Sequence, residues 1–366
     1  MRKHHGEREL PACYAIVQPG LELVAADEIA TDLGGDVRKT ADGLVVFRLD
    51  EITPDLLRLR TTEDVFLLAW GTDSLTRRAV DLKHITDWTN RKVDWQQLLR
   101  LHHTVHPKPT GKPTYRLVTQ MSGRHVYRRV DAGEALAKGL AGKLPASWKP
   151  AVDHAAVEVW LTIQDTQAVC GLRLSDRTMR HRTYKDEHLP ASLRPTIAAA
   201  MVRVADVWAE QVMLDPMCGV GTIVAEQVLY SRTRGRGSLP RILCGDLDRS
   251  AVRAARANLA NVDRRLEPVE WDARNLPIES DSVDAIICNP PFGKQLSSPE
   301  AIGPLYHAII REFNRVLRPG GQAVLLVSEA DVLRSAIRPH RWQAVRQFRP
   351  IVLGQATWLG VWKKPE

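Results

Sequence analysis

The 366-residue sequence predicts an α/β fold: a doubly wound sheet closed by an antiparallel hairpin in the C-terminal half, preceded by smaller α+β units. Three observations carry this. Beyond Pro195, short apolar strand patterns alternate with helical ones. Successive strands of that region end in polar residues, where an α/β sheet holds its ligands. The last two strand patterns follow one another with no helix between them, as an antiparallel pair allows.

A chain of this length exceeds one ordinary core, so two or three domains are expected. Its longest apolar runs, such as Ala323 to Val327, are too short to cross a bilayer, and the first ten residues lead into no apolar signal region. A soluble, cytoplasmic protein is expected. The five cysteines lie far apart with no C-x-x-C pair, so they read as core residues in a reducing compartment, with no metal site and no disulfide framework. His102 and His106 have ligand spacing, but Pro107 follows and no acid or cysteine joins them, which favours a basic surface loop. The net charge is +8, and residues 101–150 alone hold nine Lys or Arg against two acids, +7 of that excess. Such concentration points to a polyanion partner, nucleic acid above all.

In order, Cys13 to Val17 reads as a strand, Leu21 onward as an amphipathic helix stopped by Gly34 and Gly35, and Gly43 to Leu49 as a strand. A short helix at Pro54 to Leu59 and an apolar run at Val65 to Trp70 complete a first unit, 1–75. The second, 76–175, has a helix at Trp95 to His102, a proline-broken basic loop, a strand from Thr114, an Ala/Gly/Leu helix to Leu144, and strands at Val157 to Ile163 and Gln167 to Leu174. Residues 176–194 are polar and aperiodic and read as a linker. From 195 to 366, Ile197, Met201, Val204 and Trp208 mark a helix. Strands at Val212 to Asp215, Arg241 to Asp246, Val269 to Asp272, Asp284 to Asn289 and Gln322 to Ser328 then alternate with helices from Thr222, from Ser250 and near Leu305 to Leu317. Ala344 to Pro350 and Gln355 to Lys364 form the closing hairpin.

The strand ends carry the chemistry. "LDPMCGVGT", Leu214 to Thr222, places Gly219 and Gly221 where backbone can approach a ligand at a helix N-terminus. Val224 stands where a dinucleotide fingerprint needs a small residue, and no Walker lysine follows, so NAD and ATP fit poorly. Asp246 and Asp248 end the next strand, positioned to accept ribose hydroxyls, and Asp272 ends the third, beside Ala273. The fourth ends in "NPPF", Asn289 to Phe292, where two prolines forbid both helix and ladder and hold a rigid turn.

These motifs resemble the S-adenosylmethionine-dependent methyltransferases with a Rossmann-like fold, and "NPPF" resembles their amino-methylating branch. "PGLE" at Pro19 to Glu22, "GRHVYRRVDAGEALAKGL" at Gly123 to Leu140 and "LPASLRPTIAAAM" at Leu189 to Met201 are similar to the THUMP-containing RNA methyltransferases, most of all to the tRNA guanine-N2 group. The resemblance implies a ferredoxin-like domain at 1–75, a THUMP domain at 76–175, a linker at 176–194 and the methyltransferase at 195–366. It implies S-adenosylmethionine as cofactor, held by Asp215, Pro216, Cys218, Gly219, Gly221, Thr222, Asp246, Leu247, Asp248, Asp272, Ala273 and Asn289. Catalysis falls to Asn289, Pro290, Pro291 and Phe292: two acceptors bond the amine hydrogens and the ring stacks on an extruded base. RNA contacts are expected at Lys108, Lys112, Arg124, Arg128, Arg129 and Lys294. The implied product is N2-methylguanosine at position 6 of tRNA, made by a monomer that grips the acceptor stem and 3′ end. Position 10, ribosomal RNA, an adenine or cytosine amine, and a non-enzymatic RNA-binding module remain alternatives.

Overall fold

In the computed structural model, which describes residues 11–111, 113–190, 192–234, 238–292, 301–352 and 354–366, two sheets organise the chain. The first half supplies β1 (Ala12–Val17), α1 (Glu22–Leu33), β2 (Asp36–Ala41), β3 (Leu44–Arg48), a 3₁₀ turn (Pro54–Arg58) and β4 (Thr62–Thr72). It continues with α2 (Val80–Arg91), α3 (Trp95–Val105), β5 (Thr114–Ser122), α4 (Arg129–Leu140), β6 (Lys149–Pro150), β7 (Val157–Gln164) and β8 (Gln167–Arg173). All eight strands form one sheet, ordered β2-β3-β1-β4-β8-β7-β5-β6. β4 pairs antiparallel with β8, so sheet and apolar core run unbroken across residue 75.

The segment expected as a helix at Pro54 to Leu59 is that single 3₁₀ turn, and α4 stops at Leu140, short of Leu144, before Gly142 at φ 73°. α2 turns Leu82, Ile85 and Trp88 to the core of the first half, with polar residues buried among them. Asp81 and Thr89 are buried beside Ile85, with Asp81 accepting from Thr76 and from the Tyr127 hydroxyl.

The second half supplies α5 (Pro195–Ala205), β9 (Val212–Asp215), α6 (Thr222–Thr233), β10 (Arg241–Asp246), α7 (Arg249–Ala260), β11 (Val269–Glu270), β12 (Val283–Cys288) and α8 (Ile302–Val316). Then follow β13 (Leu317–Val327), α9 (Ala330–Ile337), β14 (Gln343–Phe348), the small ladder of β15 (Ile351–Val352) with β16 (Gln355–Ala356), and β17 (Trp358–Lys363). The sheet order is β11-β10-β9-β12-β13-β17-β14, parallel through β13 and antiparallel from there to its edge. The strand order reverses between β9 and β12, the switch point at which such sheets bind ligands. Trp208 lies beyond the end of α5 and is half exposed, so the helix is shorter than its spacing predicts. None of the described helices is long and apolar enough to cross a membrane.

The two halves meet through buried charge. Glu226 of α6 is fully buried; Arg60 donates to it from Nε and Nη2 at 2.6 and 2.9 Å, Arg182 at 3.3 Å, and the Tyr184 hydroxyl at 2.8 Å. Arg60 comes from the turn before β4 and Arg182 from the 176–194 segment, which is docked rather than free. Arg203 of α5 similarly reaches Asp27 and Asp32 of α1 at 2.8 and 3.0 Å. The Pro19 carbonyl accepts from Ile351, and a Cβ at Gly20 would fall 2.2 Å from the Arg349 carbonyl oxygen. That close approach, at φ 89°, explains the glycine of "PGLE".

Burial by itself would raise the Glu226 pKa, but Arg60 and Arg182 hold it below the usual carboxylate range. Its contribution to stability is therefore complete above the unfolded value of about 4.3 and is lost as pH falls through the native value. Glu226→Ala should cost about 3–5 kcal/mol at pH 7 by denaturant unfolding, because two arginines lose their counter-charge. Glu226→Gln should be destabilised at pH 7 and approach the wild type at low pH.

Candidate active site

β9 ends at Asp215, and the chain turns through residues 216–221 into α6. Gly219 and Gly221 lie in the left-handed region at φ 53° and 80°. A Cβ on Gly221 would sit 3.1 Å from the Leu259 Cγ of α7, whereas one on Gly219 would meet nothing, so backbone at Gly219 is left bare. The turn is locked by hydrogen bonds from the Cys218 N–H to the Gly245 carbonyl at 2.9 Å and from the Gly221 N–H to the Cys218 carbonyl at 2.8 Å. Asp246 completes it, accepting from the Gly219 N–H at 2.9 Å and from the Asp248 N–H at 3.1 Å. One carboxylate thus ties the ends of β9 and β10 together.

A cavity of about 490 Å³ opens beside this turn, within the ~300–1,000 Å³ usual for small-molecule sites. Cys218, Gly219, Thr222 and Asp246 line it together with Asn289 and Pro291 from the end of β12. Of the residues lining it, Thr222 Oγ1 and Asn289 Oδ1 are buried with no hydrogen-bond partner among the described residues, and Asp215 is fully buried behind them. Burial pushes the Asp215 pKa well above the usual range, and the Met217 N–H offsets this only in part. Buried polar atoms are normally satisfied, so this cluster fits a polar ligand. S-adenosylmethionine, with its amino, carboxylate and ribose groups, meets that demand.

Other expected residues stand back from the cavity. The Pro216 carbonyl accepts from Trp271 Nε1 at 2.9 Å. Asp248 caps α7, its carboxylate taken by the Ser250 N–H and hydroxyl at 2.7 Å each. Asp272 is gripped by Arg274, whose hydrogen bonds hold its carboxyl below the usual range. Ala273 is buried in the core with Leu214 and Leu276, while Leu247 is exposed. Pro290 is buried. Phe292, expected to stack on a base, packs in the apolar cluster with Ile197, Met201 and Val324. Lys108, Arg124, Arg128 and Arg129 are exposed on the first half, Arg128 already paired with Asp131 at 2.9 Å. Lys112 and Lys294 lie outside the described residues.

The wall also includes Leu189, Pro190, Ser192 and Leu193, from the segment expected as a linker, together with Met217, Val220 and Ile223. The signal for the first four was "LPASLRPTIAAAM" itself, which begins inside that segment. Asp246→Asn should weaken S-adenosylmethionine binding by tenfold or more in calorimetry. The amide must turn a donor toward one of two N–H groups, and a hydrogen bond to a charged acceptor contributes about 1.5–3 kcal/mol.

Comparison with known proteins agrees with this geometry. The methyltransferase domain family described as RMKL-like matches residues 182–354. The tRNA (guanine(6)-N(2))-methyltransferase THUMP3 of Bos taurus is 32% identical over 214 residues, 54% of this chain and 41% of the bovine protein, so the chain spans less than half of that relative. The tRNA (guanine(6)-N2)-methyltransferase of Thermus thermophilus is 32% identical over 240 residues, 64% of this chain and 68% of the relative. The crystal structure of TrmN from Thermus thermophilus matches with a TM-score of 0.75 at 25% identity, over 96% of this chain and 99% of that one. At 32% identity across 68% of the Thermus enzyme, this chain belongs to the same family of S-adenosylmethionine-dependent methyltransferases as that enzyme, with an RMKL-like methyltransferase domain at residues 182–354.

Proposed function

We propose that the chain methylates the exocyclic N2 amine of a guanosine in tRNA, at position 6 of the acceptor stem. The observation that carries this is Asn289, whose Oδ1 is buried without a partner at the edge of the cavity that holds the G-x-G turn. The lone pair of an exocyclic guanine amine is delocalised into the ring, so the amine is a poor nucleophile. Asn289 Oδ1 and the Pro290 carbonyl, accepting its two hydrogens, would turn the lone pair toward the methyl donor. The prolines leave both acceptors rigid, and Pro291 has no N–H to compete for them. Asp246 would accept ribose hydroxyls of the cofactor, and the Thr222 hydroxyl, buried without a partner at the start of α6, would donate to its carboxylate. No strong base is required, since the methylated amine is acidic and releases its proton to water. Orientation of two reactants in this way is worth roughly 7–11 kcal/mol of the barrier.

The first half supplies the RNA side of the reading. The strand order β2-β3-β1-β4 with α1 supports a ferredoxin-like unit at 1–75. Exposed Lys108, Arg124, Arg128 and Arg129 support a THUMP unit at 76–175 that grips the acceptor stem and 3′ end. The 176–194 segment joins these to the methyltransferase at 195–366, and the Glu226 contacts hold the halves at one separation, as a molecular ruler needs. The protein acts as a cytoplasmic monomer without a metal ion. A paired acceptor-stem guanosine must be extruded, at a cost of a few kcal/mol met by phosphate contacts.

Asn289→Ala should leave cofactor and tRNA binding near wild type while lowering turnover by about two orders of magnitude or more. Nucleoside analysis of the product should give N2-methylguanosine; methyladenosine would overturn the guanine assignment. Neutralising Arg124, Arg128 and Arg129 together should weaken tRNA binding and flatten its salt dependence. A transcript lacking its 3′ terminal nucleotides should be a poor substrate, and full activity on it would refute the ruler.

A further inference from the structure

Beside the cofactor cavity, and sharing Leu189, Ser192 and Leu193 with it, lies a second cavity of about 440 Å³. Its walls come from the 176–194 segment, from Glu63 of β4 and from the first residues of α5. Its chemistry is lopsided. Four cationic side chains and two histidines, His181 and His188, line it against one acid. Three of the cations are neutralised: Arg180 by Asp64, Arg182 by Glu226 and Arg194 by Glu63. Lys185 is not. Its Nζ donates to the Leu193 carbonyl at 2.7 Å, and it forms no ion pair with a described carboxylate. Burial pulls its pKa down to about 8, so its ammonium gains from any anion brought near.

Two further demands face the same space. Thr196 lines the cavity and is 2% exposed, yet its Oγ1 has no hydrogen-bond partner among the described residues. It is the second residue of α5, an eleven-residue helix whose N-cap, Arg194, makes no side-chain capping bond. Pro195 has no N–H and the Ile197 N–H is taken by the Arg194 carbonyl at 3.1 Å, so this start presents the Thr196 N–H and a partial positive charge to anions. A cation without a counter-ion, a buried hydroxyl without a partner and a helix start without a cap converge on one cavity, and a phosphate oxygen satisfies each of them.

We propose that this cavity binds a phosphodiester of the substrate RNA next to the target nucleotide, an inference that rests on the RNA-methylating reading above. The shared wall at Leu189, Ser192 and Leu193 puts that phosphate beside the cavity in which the base reacts. Phosphate contacts position a nucleic acid without reading its sequence, and one so close to the reaction would hold the backbone of an extruded nucleotide.

The test uses the full chain and a tRNA transcript. RNA affinity is measured across about 50–200 mM salt for the wild type, Lys185→Met, Lys185→Arg and Thr196→Val, with cofactor affinity by calorimetry and thermal melting alongside. Lys185→Met should reduce the slope of log K against log salt by about one, and Lys185→Arg should restore it. Thr196→Val should weaken RNA binding by about tenfold with an unchanged slope. Cofactor affinity and melting should stay at wild type in all three. A wild-type slope in Lys185→Met would overturn the proposal, as would a loss of cofactor rather than RNA affinity, which would assign the cavity to the cofactor carboxylate. A wild type that fails to bind tRNA would overturn the RNA reading itself, so the two failures are distinct.

Discussion

The buried carboxylate of Glu226 is the constraint on which the arrangement of the molecule rests. A fully desolvated charge is tolerated only when paired and hydrogen-bonded, so α6, the turn before β4 and the 176–194 segment must meet at one point. α6 begins in the G-x-G turn and ends beside Arg234, which reaches Asp32 of α1 at 3.5 Å. The helix that shapes the cofactor cavity is therefore also the helix that anchors the first half. Sliding the halves apart would strand Glu226 in an apolar interior. Apolar packing adds to this frame, with Leu21 and Val24 in one cluster with Ile197 and Met201.

Within that frame the active site is built mainly of acceptors and bare backbone. Asp246 is occupied on both oxygens by the turn it organises, so its part is to shape the turn as much as to meet a ligand. Asn289 and Thr222 leave polar atoms unsatisfied around one cavity, a cost the fold bears only where a ligand repays it. Among the described residues no nucleophile and base lie together there, in keeping with a transfer driven by orientation. The cationic cavity next door extends the same logic, since its demands at Lys185 and Thr196 are also left open.

Much of this was legible in the sequence where burial imposes a pattern. β9, β10 and β12 read correctly because strands buried in a parallel sheet are short continuous apolar runs, and the turn into α6 was legible because glycine at φ 53° and 80° has few substitutes. α2 was passed over because buried Asp81 and Thr89, polar residues satisfied by partners outside the helix, interrupt the short stripe of Leu82, Ile85 and Trp88. β2 was passed over because its exposed face is charged and it lies at the sheet edge.

The sequence by itself determined the alternating α/β order, the G-x-G turn, the rigid end of β12 and the concentration of charge before residue 150, because each depends on neighbours within a few positions. Tertiary structure alone decided that Phe292 packs inward, that Asp248 is a cap, that residues 189, 190, 192 and 193 form the cavity wall, and that the first half is one sheet. It also decided that Arg60 meets Glu226 across 166 positions of chain. Such pairings are fixed by which surfaces bury against each other, and local patterns record that a side chain is apolar or charged without recording what will cover it.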